Sequence, residues 1–226
     1  MPCLQGDVMA LAIFDLDNTL IGGDSDHLWG EFLIAQGVVD GDAFKATNDQ
    51  FYQDYVNGRL DIHAYQRFVL GVLAAHPVEQ LYQWRDTFLR EWIEPIILPK
   101  AESLLAQHRT AGDFLLIITA TNDFVTAPIA TRLGVDHLLA TRAQMRHGRY
   151  SGDVEGVPCY REGKVTNLHD WLAESGYSLE NSCFYSDSHN DLPLLQAVTR
   201  AVAVDPDPVL DREARERGWD ILSLRG

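Results

Sequence analysis

Positive charge is scarce in this sequence. Lysine and arginine together number 18 against 33 aspartates and glutamates, a formal net charge of −15 over 226 residues. Phosphate backbones and anionic bilayers attract Lys and Arg, so neither a nucleic-acid nor a membrane surface is expected. A small anionic substrate stays open, since it needs only one local positive site. Cysteine is also rare: Cys3, Cys159 and Cys183 are the three present. They are far apart, odd in number and form no CxxC pair, so neither disulfides nor a zinc site is expected. No apolar run approaches the ~20 residues of a membrane span. The stretch "MPCLQGDVMA" has neither the basic start nor the apolar run of a signal peptide. A reducing cytoplasm is the expected setting. Internal repeats and low-complexity linkers are missing too.

What is present is a globular composition, 46% hydrophobic and 23% charged. The length suffices for one core and an accessory domain. Leu11 to Phe14 is an apolar run fit for an interior strand. After it, "IGGDSD" gives a Gly pair and capping residues. From Asp24 to about Glu94 the chain reads as helices only. "DHLWGEFLIAQG", "DAFKATNDQFYQDYVNG", "DIHAYQRFVLGVLAAH" and "VEQLYQWRDTFLREW" carry apolar residues at three- and four-residue spacing. Each ends at a Gly or before a Pro. The aromatics there (Trp29, Phe51, Tyr52, Tyr55, Tyr65, Trp84) read mainly as packing between helices.

From Pro99 helices and strands alternate. Strands are expected at 114–119, "HLLAT", 182–186 and 200–204, with helices between and after them. The segment "RAQMRHGRYSGDVEG" has hairpin-like turns at His147-Gly148 and Ser151-Gly152. Pro128 lies inside an expected helix. Buried strands separated by helices predict an α/β fold with a doubly wound parallel sheet. An all-helical insert, residues 22–94, would form a cap on a core made of 1–21 and 95–226. The Gly22-Gly23 pair and the 92–99 return are the expected hinges.

In open α/β sheets ligands bind beyond the carboxyl ends of the strands. Three expected strands end in unusual polar residues. One ends in Asp15 and Asp17, one in Thr119, Ala120, Thr121 and Asn122, and one in Ser186 to Asp191. If these strands are neighbours, up to four carboxylates and two hydroxyls meet at one rim. Hard oxygen ligands in small number suit Mg²⁺. Lys164, opening a helix, is the amine that offsets the remaining charge.

Together these pieces resemble the four motifs of the haloacid dehalogenase superfamily of phosphatases. "DLDNT" matches Asp-x-Asp-x-Thr, the apolar strand closed by Thr119 matches the second motif, Lys164 the third, and "SDSHND" the fourth. The resemblance runs from about Ala10 to Gly226. The position of the helical insert resembles the branch containing phosphoserine phosphatase. The resemblance implies hydrolysis of a small-molecule phosphate monoester through an aspartyl-phosphate. Asp15 would be the nucleophile and Asp17 the general acid and then base. Mg²⁺ would be held by Asp15, the Asp17 carbonyl and Asp187. Thr119, Lys164 and Asn190 would bind phosphate, and Asp191 would support Lys164 or the metal waters. A monomer or homodimer is expected.

The match to phosphoserine phosphatase itself is imperfect. The second motif reads Thr-Ala-Thr where that enzyme has Ser-Gly-Gly. The cap has no clear arginine for a substrate carboxylate, Arg59 and Arg67 being unanchored. Asp24 stands where an acid at the cap entrance would meet a substrate amine. Phosphoserine, phosphorylcholine and histidinol phosphate all stay open as substrates. Plainer readings make Thr119 an ordinary strand residue, Lys164 a solvated helix start, Asp191 an N-cap and His189 a surface residue. Two rivals from other classes remain, a signalling phospho-acceptor with the same acidic Mg²⁺ site and a catalytically silent binding protein. The first lacks a helical insert. Against the second, Asp15, Asp17, Lys164 and Asp187 are all intact.

Overall fold

The computed structural model describes residues 10–226. Cys3 and nearly all of the N-terminal stretch discussed above lie outside them. The strands are β1 (Leu11–Phe14), β2 (Phe114–Asn122), β3 (His137–Arg146), β4 (Arg149–Glu155), β5 (Cys183–Ser186), β6 (Arg200–Val204) and β7 (Asp220–Leu222). They form one sheet in the order β4-β3-β2-β1-β5-β6-β7, parallel except for the β3–β4 pair. This is the doubly wound α/β architecture. Both faces of the central strands are buried, and side chains alternate between them. Ala12, Phe14, Leu115 and Ile117 face one apolar layer. Leu11, Ile13, Leu116 and Ile118 face the other.

The first layer is closed by α1 (Ser25–Ala35), α5 (Pro99–Ala111) and α6 (Asp123–Leu133). The second is closed by α7 (Glu162–Ser175), α8 (Leu192–Leu195) and α9 (Pro208–Arg217). Between β1 and α5 lie α1, α2 (Gly41–Val56), α3 (Ile62–Ala75) and α4 (Val78–Phe88). The end of α4 widens into a π-turn over Leu89–Ile93. Trp29 and Phe32 of α1 and Phe88 of α4 join the same apolar layer as Phe124 and Ile129 of α6. By contrast, α2 buries a single residue, Asn48.

The chain leaves and re-enters the sheet side by side. Gly22 N donates to the Ile96 carbonyl at 2.7 Å and Leu98 N to that of Leu20 at 3.2 Å. The two expected hinges thus form one short antiparallel ribbon. Pro128 sits inside α6 and cannot donate to the Phe124 carbonyl one turn back. Arg85 of α4 supplies that donor through Nη1 at 3.1 Å.

Three elements differ from expectation: first, the strand expected at 114–119 runs on to Asn122 as β2. The strand expected at "HLLAT" runs on to Arg146 and folds back as β4. His147 (φ 50°) and Gly148 (φ 77°) make the turn, as a two-residue hairpin with positive φ at both positions requires. Ser151-Gly152 lies within β4. There Gly152 takes φ 88°, a left-handed backbone that favours glycine. The other addition is β7, three residues whose pattern carries no strand signal.

Candidate active site

Beyond β1 the chain curls tightly. Leu20 N bonds the Leu16 carbonyl at 2.9 Å, and Asn18 takes a left-handed φ of 57°, which Asn tolerates. The curl gathers Asp15, Asp17 and Thr19, all buried. The pairing Phe14↔Tyr185 then sets Asp15 beside the end of β5. Asp15 N donates to the Tyr185 carbonyl at 2.9 Å.

Thr19 Oγ1 lies 3.1 Å from Asp187 Oδ1 and 3.4 Å from Asp15 Oδ2, and it accepts Asp187 N at 3.1 Å. This hydroxyl joins two strand ends. Lys164 reaches in from the first turn of α7. Its Nζ lies 2.7 Å from Asp15 Oδ1 and 2.8 Å from Asp191. Asp191 is held in turn by Ser186 Oγ at 2.7 Å. Gly163 makes the approach of α7 feasible, since a Cβ there would run into the Pro158 carbonyl.

Asp17 faces the other side. Ser25 N donates to its Oδ1 at 2.6 Å, while Thr121 Oγ1 (2.8 Å) and Thr119 Oγ1 (3.3 Å) donate to Oδ2. Of the residues singled out in the sequence, Asp15, Lys164, Asp187 and Asp191 thus share one hydrogen-bonded cluster, Asp17 and Thr119 form a second, and Asp15, Asp17 and Thr119 line one cavity. Asn190 is engaged elsewhere. Its Nδ2 donates to the Tyr55 carbonyl at 3.1 Å, and its Oδ1 accepts Tyr160 Oη and Arg161 Nε, both at 3.1 Å. Sequence reasoning noted Thr121 and Ser186 only as strand-end residues without a role, and did not pick out Asp26. Thr119-Ala120-Thr121 was the available signal for the first, since alternate residues of a strand share a face.

Burial dominates the electrostatics. It pushes Asp15 up to about 7 against the pull of Lys164. It raises Asp17 to about 6, with help from the charge of Asp24. Asp187 is raised well above the usual carboxylate range by burial and then by Asp15. Burial alone would lower Lys164, but Asp15 and Asp191 outweigh it and hold the ammonium firmly charged. Lys164 is the one buried lysine or arginine among the described residues. The cluster is thus short of positive charge and rich in hard oxygen donors. That donor set fits Mg²⁺. A separate group, His27, Glu31 and Asp49, comes within metal-ligating reach. There Lys45 Nζ already lies 2.9 Å from Glu31 and 3.3 Å from Asp49.

A cavity opens from Asp15, Asp17 and Thr119 toward the helical insert. Its far walls are Phe51, Tyr52 and Tyr55 of α2, Tyr65 of α3, and Asp24, Asp26, His27 and Asn48. Four aromatics that read as helix packing in the sequence therefore line the cavity. No lysine or arginine is among the lining residues. Arg59 is exposed and lies near Asp54, and Arg67 borders a different surface groove.

Residues 12–196 match the model of the haloacid dehalogenase-like hydrolases. A histidinol-phosphatase of Neisseria meningitidis is 45% identical over 219 residues, spanning 95% of this chain and 99% of that one. The crystal structure of a Bordetella pertussis protein of unknown function superposes with a TM-score of 0.91. It is 44% identical and covers 96% of this chain and 99% of its own. A phosphoserine phosphatase captured as a phospho-aspartyl intermediate analogue shares the fold, with a TM-score of 0.71 at 19% identity. Coverage there is 96% of this chain and 94% of that one. The chain belongs to the haloacid dehalogenase-like hydrolases and is an enzyme of their phosphatase kind.

Proposed function

We propose that this enzyme hydrolyses a small phosphate monoester bearing a cationic nitrogen, histidinol phosphate, through a phosphorylated Asp15. A carboxylate oxygen of Asp15 attacks phosphorus as the bond to the leaving alkoxide breaks. Asp17 gives its proton to that alkoxide. Asp17 then takes a proton from water, the water oxygen attacks phosphorus, and the bond to Asp15 breaks to release phosphate. Burial of Asp17, which favours its protonated form, suits the first of these duties. Lys164 and Thr119 hold the phosphoryl oxygens, and Asp191 keeps Lys164 in place. Asp15, the Asp17 carbonyl and Asp187 would hold Mg²⁺. When bound, the ion supplies positive charge that offsets the phosphate and the neighbouring acids.

The observation that carries the choice of substrate is the sign of the cavity. Its wall away from the phosphate site has Asp24 and Asp26 and no guanidinium. A substrate carboxylate, as in phosphoserine, finds no partner there, whereas an amine finds Asp24. The histidinol-phosphatase relative, similar over nearly its whole length, supports the same choice. Residues 22–94 act as a cap on the core of 1–21 and 95–226. A cytoplasmic setting completes the reading, and no helix among the described residues is long and apolar enough to cross a membrane.

The test is kcat/KM for histidinol phosphate, phosphorylcholine and phosphoserine with Mg²⁺. Histidinol phosphate should lead phosphoserine by about 10²-fold or more. Equal constants, or phosphoserine ahead, would overturn the substrate assignment.

A further inference from the structure

Asp26 is a carboxylate with almost no access to solvent, 4% exposed. Its hydrogen bonds come from Asn122 Nδ2 at 3.2 Å and the Tyr65 hydroxyl. Both donors are neutral, and no lysine or arginine lines the cavity that Asp26 borders. A buried carboxylate met only by neutral donors is poorly compensated.

An independent observation concerns Asn48, the buried residue of α2, which is 2% exposed and lines the same cavity. Its Nδ2 lies 3.1 Å from the carbonyl of His27, the residue after Asp26, and 3.1 Å from His27 Nδ1. A carbonyl oxygen accepts only a donor, so the amide is fixed with Nδ2 toward His27. Asn48 Oδ1 then receives no hydrogen bond from any described residue. Asn48 lines the cavity, so this oxygen can accept a donor from a ligand there. The placement is built in: at Gly30, a Cβ would come within 2.5 Å of Asn48 Nδ2. Only glycine lets α2 bring Asn48 so close to α1. Phe51, Tyr52 and Tyr65 wall the same space, and aromatic faces favour a flat cation.

We propose that Asp26 and Asn48 form a specificity subsite for a flat, N–H-donating cationic group, an imidazolium-like ring, at the end of the substrate remote from phosphorus. One ring N–H is accepted by the Asp26 carboxylate and another by Asn48 Oδ1, with the aromatic walls against the ring. Asp24 is distinct from this pair. Its Oδ1 already accepts Asp26 N at 3.0 Å and His27 N at 2.9 Å as the cap of α1. The subsite rests on the cavity being the substrate pocket of the proposed phosphatase.

The experiment compares Asp26→Asn and Asn48→Ala with the parent enzyme on two substrates, histidinol phosphate and p-nitrophenyl phosphate, which has no N–H donor. The loss in kcat/KM on histidinol phosphate should exceed that on p-nitrophenyl phosphate by about 30-fold for Asp26→Asn and about 5-fold for Asn48→Ala. Equal losses on both substrates, or no loss on either, would overturn the subsite. Inhibition of p-nitrophenyl phosphate turnover by unphosphorylated histidinol is measured alongside. It should be competitive in the parent and weakened at least tenfold in Asp26→Asn. If histidinol phosphate proves a poor substrate, this inhibition still decides: its presence in the parent and loss in the variant support the subsite, and its absence in the parent sinks it. The substrate assignment and the subsite thus fail by different readings.

Discussion

Arg161 donates through Nη2 to the carbonyl of Gly58 at 2.7 Å, which ties the turn between α2 and α3 to the start of α7. The same guanidinium reaches Asn190, whose amide holds the Tyr55 carbonyl. Gly58 has φ +65°, and a Cβ there would come within 2.7 Å of His189 Nε2 and 2.8 Å of Arg161 Nη2. The space free inside the cavity is about 40 Å³, room for a few waters. Lifting of this turn would widen the cavity for substrate, and docking it again would close the site before chemistry. Arg161→Ala and Gly58→Ala should therefore raise KM about tenfold, with a smaller effect on kcat. Gly58→Ala should also cost about 1 kcal/mol in denaturant unfolding. Unchanged KM in both variants would remove the latch from the account.

Asp15 and Asp17 are separated by their roles. Asp15→Asn should form no phosphoenzyme. Asp17→Asn should still be phosphorylated by p-nitrophenyl phosphate, whose leaving group needs little protonation. Its hydrolysis, without a general base, should slow by ~10²–10⁴-fold. Intact-protein mass spectrometry after acid quenching should then show one added phosphoryl group, on Asp15, in Asp17→Asn only. Label on another residue, or equal label in both variants, contradicts the assignment.

Removal of divalent metal with EDTA and dialysis should abolish turnover, and Mg²⁺ should restore it. Ca²⁺ should inhibit. Its larger, more adaptable shell would take both oxygens of a carboxylate such as Asp15 and leave none to attack. Steady-state rates with each ion decide, and equal rates with Ca²⁺ and Mg²⁺ would count against this.

The buried acids also set a pH dependence in the metal-free protein. Asp15 and Asp17 are pushed up to about 7 and about 6 respectively, chiefly by burial. A carboxyl with a folded pKa above its unfolded value, ~4, binds its proton more tightly when folded. Stability is then fully present below that value and is lost as pH rises through the folded pKa values. The Tm of the metal-free protein should fall between pH 5 and pH 7.5, and less steeply in Asp17→Asn. Mg²⁺ should raise Tm more at pH 7.5 than at pH 5. Differential scanning calorimetry at the two pH values reads both effects, and identical slopes in parent and variant would reject the cause given.

The central sheet was legible because its strands are apolar runs that need no knowledge of their partners. Leu11–Phe14 and Arg200–Val204 fall where the runs do. Asp15, Asp187, Lys164 and Asp191 were legible as a set because acids at strand ends have few structural uses. What escaped depends on contacts distant in sequence. The hydroxyl of Thr19, bridging Asp15 to Asp187 that lies 168 residues beyond Thr19, leaves no local trace. Nor does the engagement of Asn190 with the Tyr55 carbonyl, 135 residues away. Phe51, Tyr52 and Tyr55 have helical spacing, which does not distinguish a face turned to another helix from one turned to a cavity.

The sparse burial of α2 has a consequence for the folded ensemble. Its one buried side chain, Asn48, lines the cavity, as do Phe51, Tyr52 and Tyr55 of the same helix. A helix so placed is a cooperative unit of low local stability. An occupant of the cavity stands in for the missing core of that unit. Amide hydrogens of residues 41–56 should exchange quickly in the empty enzyme and slowly in the liganded one, while those of α6 change little. Order in this helix is then supplied by the ligand as much as by the chain.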